Sequence, residues 1–186
     1  VYRNELSGTL AGLLRVRMLS MNDAHVYCTL DQVASEVRSN VRMAQEYYET
    51  FGFDDYDFRL SLWDPDNKDK YIDQPENWEA TQNHLREIMD GLGVEYTEAV
   101  GEAAFYGPKI DIQFRTALGR EESMSTIQLD FAAKERFGLS YMDETGNENG
   151  EVFVIHRAPL YTHERFVSFL LEQWAGNLPT WLSPVQ

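Results

Sequence analysis

Cysteine is almost absent from this 186-residue sequence, with Cys28 the single example. No internal disulfide can form, and a reducing, cytoplasmic setting is expected. Positive charge is also scarce. Against 31 Asp and Glu stand 16 Lys and Arg, for a formal net charge of −15. A surface that coats nucleic acid needs clustered cations, so that class is set aside. A pocket in which a few arginines meet a nucleotide is not. No run approaches the roughly 18 apolar residues of a membrane span. No signal peptide opens the chain either, so no membrane partner is expected. Repeats and low-complexity tracts are missing. With charged residues at 25%, the globular average, the composition argues for one folded domain.

What is present reads as strands interrupted by few helices. Residues 1–5 look like the tail of a strand, and Ser7, Gly8, Thr9 and Gly12 mark a loop before a second strand over 13–20. A third strand covers 24–28. Thr29 caps a helix, with Gln32 as its capping-box partner. Val33, Val37, Val41, Ala44, Tyr48 and Phe51 recur along that helix at helical spacing, and Gly52 ends it. Phe58, Leu60 and Leu62 alternate with polar residues as a half-buried strand does. Residues 64–75 are polar and read as an exposed insertion. Trp78, Leu85, Ile88, Met89 and Leu92 form a second amphipathic helix that stops at Gly93. Strands follow over 95–99, 110–114, 125–131 and 152–156, with a hairpin-like turn over 143–150. A last helix runs over 162–174. This pattern predicts an α+β fold: a mostly antiparallel sheet flanked by helices.

Arginines and histidines are the chemistry-bearing candidates. Arg3 and Glu5 lie two apart, so on a strand they address one surface, and Arg15 and Arg17 share a face across the loop. Arg offers phosphate a charge-assisted fork, while Glu accepts from an exocyclic amine. Arg165 falls near the start of the final helix, where the positive helix end favours an anion. His25 and His156 lie on strands 131 positions apart, a spacing that defines no metal motif by itself. His84 and His163 carry no signal. Cys28 is three residues beyond His25 and should face the other way.

Arg3-Asn4-Glu5, the loop, and Leu14-Arg15-Val16-Arg17 together resemble motif 2 of class II aminoacyl-tRNA synthetases. Glu164-Arg165 is similar to motif 3. Within that class, four further segments resemble the threonyl enzymes. These are Met21-Asn22-Asp23-Ala24-His25, the run from Ala104 to Ile110 around Tyr106-Gly107-Pro108-Lys109, Ser125 to Phe131, and Ile155-His156-Arg157. The resemblance implies a class II synthetase-like catalytic domain over 1–180, truncated on its N-terminal side. It places the start of a linker to an anticodon-binding domain at 181–186. It implies ATP-dependent activation of threonine, then transfer to tRNA(Thr), by a homodimeric full-length enzyme, with the fragment inactive alone. Arg3 would bridge the amino-acid carboxylate and the α-phosphate; Glu5 would hold adenine; Arg15 and Arg165 would grip the outer phosphates. Asp23, Tyr106, Lys109, Thr126 and Gln128 would line the threonine pocket. His25 and His156 would bind Zn2+ together with an upstream cysteine rather than Cys28, and Mg2+ would accompany ATP. Leu19, Met21, Ser123 and Tyr161 depart from the family pattern. Leu19 stands where an aromatic often stacks on adenine, and Tyr161 replaces a small residue before the last helix. Those departures motivate a second expectation, a non-catalytic relative that binds nucleotide or a partner. A histidine-based metal hydrolase is disfavoured because no local His-x-x-x-His pair exists.

Overall fold

In the computed structural model, which describes residues 1–185, six strands build one sheet. They are β1 (Ala24–Cys28), β2 (Tyr56–Leu62), β3 (Tyr96–Val100), β4 (Lys109–Arg115), β5 (Glu121–Asp130) and β8 (Phe153–Ala158). Their order is β1-β8-β5-β4-β2-β3, and every pairing is antiparallel except β2 with β3. That parallel pair requires a crossover, supplied by α2 (Pro75–Leu92). A small hairpin of β6 (Tyr141–Met142) and β7 (Glu148–Asn149) stands apart, around the turn expected there.

The helices follow their local signals. In α1 (Leu30–Phe51) the Thr29–Gln32 capping box is formed, and Gly52 terminates the helix at φ 75, a conformation open to glycine. The α2 helix starts three residues before Trp78, because Pro75 at the first helical position lacks only a donor that would be unpaired there anyway. In α4 (His163–Trp174) the Thr162 hydroxyl accepts from Arg165 N at 3.2 Å. The short α3 (Ala133–Phe137) was not foreseen; it hangs on the Asp130 carboxylate, which accepts from the backbone amides of Ala132 and Ala133.

One face of the sheet is apolar. Leu60, Ile110, Ile112, Ile127, Leu129 and Ile155 are buried there with Val33, Val37, Val41 and Tyr48 of α1. Phe166 and Phe169 of α4 complete this core, Phe166 edge-on to Phe51. The opposite face carries the polar side chains of the same strands.

Two expectations need correction. Residues 13–20 form no regular strand: they meet residues 1–5 only through isolated bonds, with a Tyr2–Met18 bridge and Arg3 N donating to Arg17 O at 2.8 Å. A two-stranded ribbon with no third neighbour is marginal, and Gly12 at φ 49 and a 3-10 turn at Ser7–Thr9 break its ladder. Nor is the 64–75 insertion wholly exposed. Tyr71 is buried against Trp78, and Lys70 Nζ reaches Gly101 O at 2.6 Å. One aromatic anchor overrides the polar pattern around it.

Candidate active site

The antiparallel register writes a row of polar residues straight across the sheet. His25 on β1 faces His156 on β8; His156 faces Gln128 on β5; Gln128 faces Lys109 on β4; Lys109 faces Ser61 on β2. A second row, one pleat along, runs Ala158, Thr126, Asp111, Arg59. Residues that are scattered in sequence thus share one surface, because side chains two apart on a strand point the same way.

Tyr106 closes over this surface. Its hydroxyl donates to Gln128 Oε1, and its ring centre lies 5.1 Å from that of His156. Burial, then the nearby carboxylates of Asp130 and Asp23, push the Tyr106 phenol up to about 12. It therefore remains a neutral donor. The loop comes this close because Gly107 has no side chain: a Cβ there would meet Leu129 O at 1.8 Å. Lys109 is held by Asp111, with Nζ 2.8 Å from Oδ2. Asp111 is fully buried and also accepts from Ser61 Oγ at 2.6 Å and Arg59 Nη2 at 3.2 Å.

The two imidazoles pack edge to face, with ring centres 4.3 Å apart. His156 Nε2 meets Asp130 Oδ2 at 2.9 Å, which orients the ring and leaves Nδ1 free to donate a lone pair. Asp23 Oδ2 lies 3.9 Å from His25 Nε2. Such a pair suits two nitrogen donors of a zinc site. Among the described residues, no group of three His, Cys, Asp or Glu converges as a full ligand set. Cys28 points to the core, 7% exposed, its thiol pushed up to about 11 by burial and then by Glu36 and Asp31. By themselves the two imidazoles supply only part of the ligand set that such a site needs.

Beside this face lies a cleft of about 200 Å³ that gathers Arg3, Glu5, Arg15 and Arg165, with Leu19 and Tyr161. Two of its arginines are ion-paired. Arg15 Nε binds Glu5 Oε2 at 3.0 Å, and Arg165 Nη1 lies 3.2 Å from Glu122 Oε2. Arg165 is also a strut: its Nε donates to Leu14 O at 2.9 Å and its Nη1 to Ser123 O at 3.2 Å, pinning the loop and β5 to α4. Arg17 turns out of the cleft, donating to Glu5 O and Ser7 Oγ. Glu164 takes both carboxylate oxygens to Ser20 N, and Met21 bridges Thr162. This strap joins the cleft to the start of β1 and so to the histidine row.

Sequence reasoning did not single out Asp111, Asp130, Glu122 or Ser61. An acid in a strand reads as solvated, and only the register reveals its partners. Asp130 had one signal, its place three residues before the start of α3, where Asp commonly satisfies free amides.

A family model described as the tRNA synthetase class II core domain (G, H, P, S and T) matches residues 1–174. A threonine–tRNA ligase from Geobacillus sp. (strain WCH70) is 54% identical over 186 residues, covering 100% of this chain and 29% of that protein. A crystal structure titled as the RNA binding domain of threonyl-tRNA synthetase from Cryptosporidium parvum Iowa II superposes with TM-score 0.89 at 39% identity, over 100% of this chain and 46% of that one. A putative threonyl-tRNA synthetase, ThrRS-1, from Aeropyrum pernix gives TM-score 0.78 at 32% identity, over 100% and 43%. The chain thus spans about 29% of the length of such curated relatives. With its mostly antiparallel sheet, its polar row and its flanking arginine cleft, this chain belongs to the class II tRNA synthetase core family.

Proposed function

We propose that this chain is the nucleotide- and amino-acid-binding part of a threonine–tRNA ligase. The observation that carries this is the His25–His156 pair, set in one row with Gln128 and Lys109 and strapped to a cleft lined by Arg3, Glu5, Arg15 and Arg165. In this reading residues 1–180 are the catalytic core and 181–186 lead towards a further domain.

Activation joins the threonine carboxylate to the α-phosphorus of ATP and expels pyrophosphate. The carboxylate is already a nucleophile, so the protein needs to align it and stabilise charge on the phosphoryl oxygens. Arg3 bridges carboxylate and α-phosphate, Glu5 accepts from the adenine amine, and Arg15 and Arg165 hold the outer phosphates. Asp23 accepts from the threonine hydroxyl, while Tyr106, Lys109, Thr126 and Gln128 shape the pocket. His25 and His156 would hold a zinc ion, which would supply Lewis-acid polarisation in the pocket, and magnesium would accompany ATP. Asp130 holds the His156 ring in the orientation that a metal requires. A site that must hydrogen-bond a hydroxyl rejects valine far more strongly than an apolar pocket would. Transfer to the 3′ end of tRNA(Thr), in a cytoplasmic homodimer, completes the reading.

The test is ATP–pyrophosphate exchange by the complete polypeptide that contains these residues. Exchange is expected with threonine, and its loss is expected in Arg3→Ala and Arg165→Ala. Exchange supported by serine or proline but not threonine contradicts the assignment. One observation favours a second reading, a non-catalytic relative: Tyr161 occupies the space between Arg3 and Arg165. Absence of exchange with every amino acid, together with retained ATP binding, would decide for it.

A further inference from the structure

The cleft assigned to ATP is narrow. At about 200 Å³ it falls below the roughly 300–1,000 Å³ typical of pockets that enclose a small molecule. The Glu5–Arg15 ion pair and Tyr161 are among the side chains that line it.

Tyr161 touches both arginines to which the activation chemistry is assigned. Its ring centre lies 4.5 Å from the Arg165 guanidinium carbon and 5.8 Å from that of Arg3. Its hydroxyl accepts from Arg3 Nη1 at 3.3 Å. Cation–π attraction and a charge-assisted hydrogen bond therefore hold one ring where two cations face a common space. The backbone beneath it is strained. Tyr161 has φ 50, and the only other non-glycine residue at positive φ among the described residues is Ala175, which ends α4. For a bulky side chain this conformation persists only when its surroundings impose it. Here the next residue, Thr162, caps α4, and Tyr161 N donates to Ala158 O at 3.2 Å.

We propose that Tyr161 is a gate of the nucleotide cleft. Without nucleotide its ring fills the gap between Arg3 and Arg165 and screens their mutual repulsion. When a nucleoside triphosphate enters, the phosphates replace the ring as partner of both arginines, and the side chain swings out. Binding therefore proceeds against the contacts that Tyr161 makes. This inference rests on the ATP assignment above.

Kinetics of threonine-dependent exchange in the complete polypeptide test it. Removing the ring in Tyr161→Gly lowers KM for ATP about tenfold, the size of one desolvated cation–π contact. The kcat stays within about twofold, because the ring has left before the chemical step; the KM for threonine falls less than that for ATP, since of the two arginines only Arg3 meets the threonine carboxylate. Tyr161→Phe keeps the ring and loses only the Arg3 bond, so its effect is smaller and in the same direction. Tyr161→Asn, which tolerates positive φ, serves as the ring-free variant if glycine loosens the start of α4. A KM for ATP that is unchanged or raised in the ring-free variants overturns the gate; a rise would mean that the ring stacks on the bound nucleotide instead. If the wild-type polypeptide binds no ATP, the cleft assignment fails and the gate falls with it.

Discussion

The polar face of the sheet and the arginine cleft adjoin, yet they are held by different forces. His25, His156, Gln128, Lys109 and Asp111 sit at fixed register positions on strands paired on both sides or along their full length. Arg3, Glu5 and Arg15 sit on a segment that pairs only through isolated bonds. Asp111 and Arg15 show the same division, although Arg165 in the cleft is buried. On the sheet, Asp111 is fully buried between Lys109 and Arg59. In the cleft, Arg15 is half exposed and its partner Glu5 is 15% exposed. The proposed amino-acid half is therefore preorganised, and the proposed nucleotide half is adaptable, drawn from the low-stability end of the structure. A site that selects one small amino acid gains from rigidity; a site that must open for a triphosphate gains from give.

This contrast can be broken by mutation. The largest expected effect is on the sheet side. Asp111→Ala leaves Lys109 and Arg59 without their buried anion and should cost about 3–5 kcal/mol, read as a lowered denaturant midpoint. Next comes Gly107→Ala, where a methyl group would drive into Leu129 O and the loop carrying Tyr106 must shift; about 1–3 kcal/mol is expected by the same measurement. Smallest is Arg15→Ala in the cleft. Its exposed pair with Glu5 is worth under about 1 kcal/mol, so stability stays close to wild type while ATP affinity falls. If Arg15→Ala unfolds the protein as readily as Asp111→Ala, the two regions are held alike.

Legibility divides along related lines. The ends of α1 were readable because Thr29, Gln32 and Gly52 act on their own backbone neighbours. The amphipathic faces of α1 and α2 were readable for the same local reason. The 13–20 segment misled: its residue types suit a strand, but a strand also needs a partner, and that partner is not a local property. The arginines and histidines were found through motif resemblance, whereas their geometry was not. Asp111 escaped notice because what buries it, Ser61 and Arg59, lies 50 and 52 residues away in sequence. Tyr161 was noticed as a departure from the family pattern, but its positive φ and its place between two guanidinium groups follow only from the turn into α4.

In the proposed function the histidine row and the arginine cleft act as one site. Calorimetric titration of the complete polypeptide with a non-hydrolysable threonyl-adenylate analogue tests this most directly, using Arg3→Ala and His156→Ala as the probes of each half. One binding event is expected, weakened at least about tenfold by either substitution. Affinity that survives either substitution unchanged would contradict it.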